Sequence, residues 1–401
     1  MKRRFFQKNE LRLLWPFYLD SLLSPLLFFA PIFIVVFLNN LGLSFSQIGL
    51  LIAISPLFAL LFEIPTGAVA DLYGRKFSVL LGYTIESLAF ISLFFLQSYY
   101  FILVMFAVIG FGSTLSSGSK EAWIIDLVKS KKLSSAYFHK SQSIDAFALI
   151  ISGFLGVIIV KTFGVPSVFL FAFISLVISI SILLFAKENC VLRKIHIKKS
   201  FKELIGQTKK SISYGYRHHV LYYYFIASFI FAAALSFGMS ITWTPILLEL
   251  NFPQYAFGYL WSAIAFITMI TPMFSHKFLK EGKEKSFIMI SLLLSAFATV
   301  LILFPKTWVM ALIYLLFIDF FLDLSGPASR IYFHGFLPKK LRATLGSVEA
   351  MLLSLATIIS LPIVGYLIEK IGARYTLLIY APLILLVVFI YSRIKETNLT
   401  D

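Results

Sequence analysis

Apolar residues run through this chain in long unbroken blocks, not in the alternation of a half-buried strand or the single stripe of an amphipathic helix. Twelve blocks, near residues 14–38, 45–70, 77–97, 99–125, 141–162, 166–186, 221–247, 255–277, 286–304, 307–335, 344–368 and 373–393, reach the roughly 20 mainly apolar residues that a helix needs to cross the hydrocarbon core. Backbone groups in lipid must find their hydrogen-bond partners inside the segment, so these blocks are predicted to be helices; the short alternating segments of a β-barrel are absent. The first apolar run, from Leu13 past Phe37, is too long for the core of a cleavable signal and is read as a first span.

The longest polar interruption, Lys187 to Val220, falls between the sixth and seventh blocks. It divides the chain into a six-helix half at 1–186, a linker at 187–220 and a second six-helix half at 221–401. Within the linker Phe201, Leu204, Ile205, Thr208 and Ile212 follow helical spacing among Lys202, Lys209 and Lys210, as expected either of a helix lying on the membrane surface or of a solvated charged connection. The halves resemble each other at one offset. Ser117-Gly118 recurs as Ser325-Gly326, Lys131-Lys132-Leu133 as Lys339-Lys340-Leu341, and Gly164 as Gly372, each 208 residues later, while Gly49 corresponds to Gly258 at 209. An even number of spans per half gives both halves one orientation, hence a parallel repeat about an axis along the membrane normal.

Composition narrows this further. Of 401 residues 59% are hydrophobic and 13% charged, with a mean hydropathy of +0.90, whereas soluble domains are about 45–50% apolar and about 25% charged. A water-soluble enzyme and a disordered chain are both excluded. The net charge of +16 would in a soluble protein point to nucleic acid. Here 29 of the 35 Lys and Arg residues fall in loops on one side of the predicted spans, four fall on the other, and Lys120 and Arg330 fall inside spans. That asymmetry predicts a cell (inner or plasma) membrane protein with both termini cytoplasmic, whose cations meet anionic lipid and no nucleic acid. Cys190 is the single cysteine and can form neither an internal disulfide nor a CxxC site.

Between the second and third blocks the chain reads Pro65-Thr66-Gly67-Ala68-Val69-Ala70-Asp71-Leu72-Tyr73-Gly74-Arg75-Lys76. This resembles the GxxxD(R/K)xGR(R/K) loop of the major facilitator superfamily, departing from it at Leu72, where the pattern prefers a cation. With twelve spans, a 6+6 repeat and a long central loop, the resemblance covers essentially the whole chain. It implies a fold in which Asp71 sits at the N-terminal end of the helix starting near Thr344 and Arg75 pairs with Asp126 or Glu121, latching the halves together. Gly67 is expected to allow close helix approach, Gly74 a tight turn, and Lys76, with Arg75, to anchor the cytoplasmic face. The corresponding second-half segment, His276 to Lys283, is degraded. The segments Phe62 to Gly67 and Ser117 to Ala122 resemble a bacterial drug-export branch, although the Gly-Pro signature of antiporters is missing from the fifth span, where Gly153 and Gly156 stand without it.

Ionisable residues inside spans are costly and mark function or internal pairing. Asp319, Asp323 and Arg330 share one face of the tenth block, and Asp319 lies roughly 18 Å along it at about 1.5 Å per residue. A carboxylate at that depth keeps its charge only with a partner, for which Arg330 is a candidate. Asp20, beside Ser21 and Ser24, and Glu63 and Glu86 are further candidates; Asp145 and Glu349 read better as partners of helix N-termini. In the superfamily the first, fourth, seventh and tenth helices line the cavity, which favours Asp20 over Glu86. It also brings in Ser113, Thr114, Ser116 and Ser117 of the fourth block, and Ser236, Met239, Ser240, Trp243 and Thr244 of the seventh. Aromatic and Met surfaces with sparse hydroxyls suit an amphipathic or cationic organic substrate.

The six His show no ligand spacing, and neither a GxxxxGK[ST] loop nor a nucleophilic triad is present. The chain is therefore expected to need no metal or other cofactor, to catalyse no reaction, and to use an ion gradient instead of ATP. The expectation is a monomeric, all-α, twelve-helix secondary transporter in two parallel repeats that exchanges protons for a small organic molecule, in the sense of export. Uptake of a metabolite, a lipid flippase or a non-transporting sensor on the same scaffold are the alternatives.

Overall fold

The computed structural model describes residue 6 and residues 10–23, 29–128, 130–188, 218–238, 240–336 and 342–394. Among these residues the regular structure is helical throughout. In chain order the helices are α1 (Glu10–Leu23), α2 (Phe29–Asn40), α3 (Phe45–Tyr73), α4 (Arg75–Phe95), α5 (Tyr99–Val128), α6 (Lys131–Phe163) and α7 (Ser167–Leu183). There follow α8 (His219–Phe237), α9 (Ser240–Glu249), α10 (Phe257–Phe278), α11 (Glu284–Val300), α12 (Trp308–Gly335), α13 (Arg342–Ile371), α14 (Ala373–Leu378) and α15 (Tyr380–Arg393). Ten helical stretches are long and apolar enough to cross a membrane, and α7 is a shorter apolar helix. With α1 and α2, which share the first predicted block, they account for the twelve expected spans. Similarly α8 and α9 share the seventh block, and α14 and α15 the twelfth. The surface helix expected around Phe201 to Ile212, and Cys190, lie outside the described residues.

Helix ends depart from the hydropathy blocks where a cap, not lipid, sets them. Block five was expected from 141, yet α6 starts at Lys131, because the Ser130 side chain accepts the backbone N–H of Leu133 and closes the first turn. The added turns carry Lys132 and Lys140, which hydropathy discounts. Gly74, at φ +100°, makes the break between α3 and α4, a backbone region that disfavours any residue with a Cβ.

The parallel repeat appears as one packing scheme used twice. In the first half α4 packs on α5 and α7, and α1 on α6 and α7; in the second α11 packs on α12 and α15, and α8 on α13 and α15. Two compact units result, divided almost but not wholly at the linker. The Gly42–Ala53 segment groups with the second unit, and Gln254–Ser262 with the first. The matched glycines explain both exchanges. A Cβ on Gly49 would strike the Leu361 carbonyl of α13, and one on Gly258 would strike the Gly153 carbonyl of α6, so each glycine admits a backbone that no side chain would allow. Polar contacts seal the same places. Glu369 accepts from the Ser46 backbone N–H at 2.6 Å and the Ser46 hydroxyl at 2.8 Å at the start of α3, where a carboxylate complements the helix dipole. The amides of Asn40 and Gln254 exchange hydrogen bonds at 2.9 and 3.0 Å.

Candidate functional site

Interior charge gathers at four places, two in each unit. In the first, Asp20 of α1 is fully buried, forms an ion pair with Lys120 of α5, and accepts a hydrogen bond from Tyr83 of α4 at 3.2 Å. Ser21 lies against Tyr137 and Asp145, at the edge of the same cluster. The approach of α4 to α5 that lets Tyr83 reach in depends on Gly82, where a Cβ would stand 2.6 Å from the Gly112 carbonyl oxygen. One Asp20 oxygen, Oδ1, has no hydrogen-bond partner among the described residues. Glu86 is buried nearby and accepts from Ser116 at 3.3 Å. A second ionic cluster, Glu10 with Lys140 at 2.6 and 2.9 Å and with Tyr18, ties α1 to the added turns of α6.

In the second unit, α12 carries Asp319 and Asp323 one turn apart. Asp323 accepts from the Thr268 hydroxyl of α10 at 2.6 Å, while Asp319 Oδ2 is buried without a hydrogen-bond partner among the described residues. Arg330, expected as their counter-charge, makes an ion pair with neither. Seven residues beyond Asp323 it keeps to the same side of α12 but stands nearly two turns away, at a different place along the helix.

That other place is a cavity of about 720 Å³ inside the second unit, walled by α8, α11, α12, α13 and α15. Arg330 lines it from α12 and Glu349 from α13. Glu349 accepts from the Tyr224 hydroxyl at 2.8 Å. The Tyr224 ring in turn stacks on Phe333 at 4.2 Å between centroids and meets Tyr391 edge-on at 6.3 Å. Among the described residues no group of three or more His, Cys, Asp or Glu side chains could hold a metal ion.

At the loop after α3, Arg75 Nη1 lies 3.3 Å from Asp126 Oδ2, and Glu121 is exposed and takes no part in an ion pair among the described residues. Lys76 does more than mark the membrane face. Its Nζ donates to the Leu184 and Ala186 carbonyls beyond the end of α7 at 2.7 and 2.8 Å, and its backbone N–H donates to Glu188 at 2.9 Å, a cation satisfying carbonyls that a helix end leaves free. Gly67, expected to permit a close approach, faces open space instead, since a Cβ there would meet no atom within 4 Å. Asp71 is exposed, and the side chains at the helix start near Thr344 lie outside the described residues.

The family model described as Major Facilitator Superfamily matches residues 21–283 and 282–399. The chain belongs to the major facilitator superfamily. A curated relative from Bacillus subtilis (strain 168), named as the uncharacterized MFS-type transporter YxaM, is 24% identical over 377 residues and covers 93% of each chain. Among solved structures, a mutant form of the nucleoside transporter NupG superposes with a TM-score of 0.80 at 13% identity, covering 94% of this chain and 98% of its own. A D-xylose-proton symporter superposes at 0.73 and 14%, covering 96% and 98%. At such identities these likenesses establish the fold alone. This superfamily member is thus a multi-pass membrane protein of a transporter family.

Of the cavity residues expected in this superfamily member, Trp243 is buried with its indole N–H lacking a hydrogen-bond partner among the described residues, and Ser117 is exposed. Two features escaped sequence reasoning. Lys120 was weighed as an isolated intramembrane cation and Asp20 as an isolated acid, yet they are partners. The clue was available, since α1 starts and α5 ends on the same side: Asp20 lies ten residues from one end and Lys120 eight from the other, roughly 15 and 12 Å deep. Glu349 was read as a dipole partner, and nothing local announced that Tyr224 and a cavity would face it.

Proposed function

We propose that this protein is a proton-coupled secondary transporter that moves a small organic molecule by alternating access, in the sense of export. The two six-helix halves, residues 1–186 and 221–401, are the moving bodies, and 187–220 connects them. The observation that carries this reading is the carboxylate pair of α12. Asp319 and Asp323 sit within an apolar span where, among the described residues, the Thr268 hydroxyl hydrogen-bonds Asp323 and no cation pairs with either. Acids within a span are kept there at a cost, and exchanging a proton is the chemistry they offer. Asp20 plays a different part, because Lys120 already balances it. The D-xylose-proton symporter among the structural neighbours supports proton coupling, and export rests on the resemblance of Phe62 to Gly67 and Ser117 to Ala122 to a drug-export branch.

The test is transport by purified protein in proteoliposomes, with a panel of amphipathic organic cations and zwitterions, with and without a protonophore. Substrate is expected to move against an imposed proton gradient, and Asp323→Asn, still folded by size exclusion, to abolish that gradient-driven movement. Unchanged coupling in both Asp323→Asn and Asp319→Asn would overturn the assignment. Substrate moving together with protons would overturn export and leave coupling standing.

A further inference from the structure

The cavity in the second unit plays no part in the coupling step, and its chemistry is particular. Opposite charges, Arg330 and Glu349, line one space and do not pair with each other. Arg330 is exposed along the cavity and makes no hydrogen bond or ion pair among the described residues, so its planar fork is open to an anion, which it can hold in two parallel hydrogen bonds. Glu349 is steadied by Tyr224, whose ring belongs to a cluster with Phe333 and Tyr391. A carboxylate beside aromatic faces is an environment for an ammonium. The volume, about 720 Å³, falls within the roughly 300–1,000 Å³ of small-molecule sites.

We infer that this cavity binds an aromatic zwitterion, with its anionic group on Arg330, its ammonium on Glu349 among the rings of Tyr224 and Tyr391, and its apolar body along Phe333. Only the ligand's role as cargo rests on the transporter reading; binding itself needs no gradient. The two charges then hold opposite ends of one molecule. A ligand bearing a single charge leaves the other side chain of the cavity uncompensated, so selectivity comes from requiring both.

The full-length protein in detergent micelles, titrated with Nε-dansyl-L-lysine, its methyl ester and its Nα-acetyl derivative, separates the three charge types by dansyl fluorescence. The zwitterion is expected to bind at least about tenfold more tightly than the cationic ester or the anionic acetyl form, the scale of one charge-assisted contact. Arg330→Gln should remove the preference over the ester and Glu349→Gln the preference over the acetyl form. Arg330→Lys should keep part of what Arg330→Gln loses. Gly346 lines the same cavity, and a Cβ there meets no atom within 4 Å; Gly346→Leu should fill the space and abolish binding of all three. Equal affinities, a zwitterion affinity indifferent to both glutamine variants, or no zwitterion binding to monodisperse wild-type protein would each overturn the inference. Asp323→Asn should bind the zwitterion normally, so a failed coupling mechanism and a failed binding site give different results.

Discussion

In the first unit Asp20 has no exposure and Lys120 reaches it from α5, with Tyr83 completing the contact. The offset of 208 carries these positions to Ser228 and Ala328, and there the second unit holds no such pair. Ser228 lines a cavity, and two charges that line it with Ser228, Glu349 and Arg330, do so without pairing with each other. Helix pairings are alike in both units, so the backbone frame does not account for the difference. It lies in the replacement of two charged side chains, Asp20 and Lys120, by the small uncharged Ser228 and Ala328. A parallel repeat can therefore keep its packing while one copy spends its interior charge on holding helices together and the other leaves charge available to a ligand. The bundle does not need an ion pair at this place, since the second unit folds on the same scheme without one.

The comparison breaks most readily at its first member. Lys120→Met leaves Asp20 buried with only Tyr83, and should lower stability by about 3–5 kcal/mol, read as thermal unfolding of the purified protein in detergent. Adding Asp20→Asn should recover much of that loss, and a double variant as unstable as the sum of the singles would mean that the pair is not the unit of stability. Next come the glycines that both halves share. Gly49→Ala and Gly258→Ala should each cost about 1–3 kcal/mol through overpacking against carbonyls, and to similar extents; a large inequality would show that the two exchanged segments are not equivalent. In the second unit Glu349→Gln keeps an acceptor for Tyr224 and should cost no more than about 1 kcal/mol, which contrasts directly with Lys120→Met. A loss of several kcal/mol there would make Glu349 structural. The smallest effect is expected at the loop, where Arg75→Ala removes a partly exposed pair with Asp126 and should change unfolding by about 0–1 kcal/mol, with any larger consequence confined to transport rates.

Much of the fold is legible in the sequence. Hydropathy located each span because crossing lipid is a property of about 20 consecutive residues and requires no knowledge of neighbours. Where the reading slipped it was at ends, as at Ser130, whose single side-chain cap extends α6 beyond the apolar block. The candidate site was less legible. Asp319 and Asp323 stood out by their depth alone, and Arg330 was then assigned to them because it shared their face; in the folded unit it pairs with neither and lines a cavity. Gly67 was given a close contact on motif grounds, but its neighbourhood is open.

Local composition thus settled the all-helical class, the number of spans, the uneven distribution of cations among loops and the repeat at 208 residues, because each depends on sums along the chain or on spacing within it. The meeting of Asp20 with Lys120, a hundred residues away, was decided in three dimensions, as were the exchange of the two glycine-bearing segments and the cavity between Arg330 and Glu349. Those outcomes depend on which faces of packed helices confront one another and on how much volume facing side chains fill. In a membrane span an unpaired charge looks the same along the sequence whether its partner lies across the next helix or has yet to arrive as a ligand.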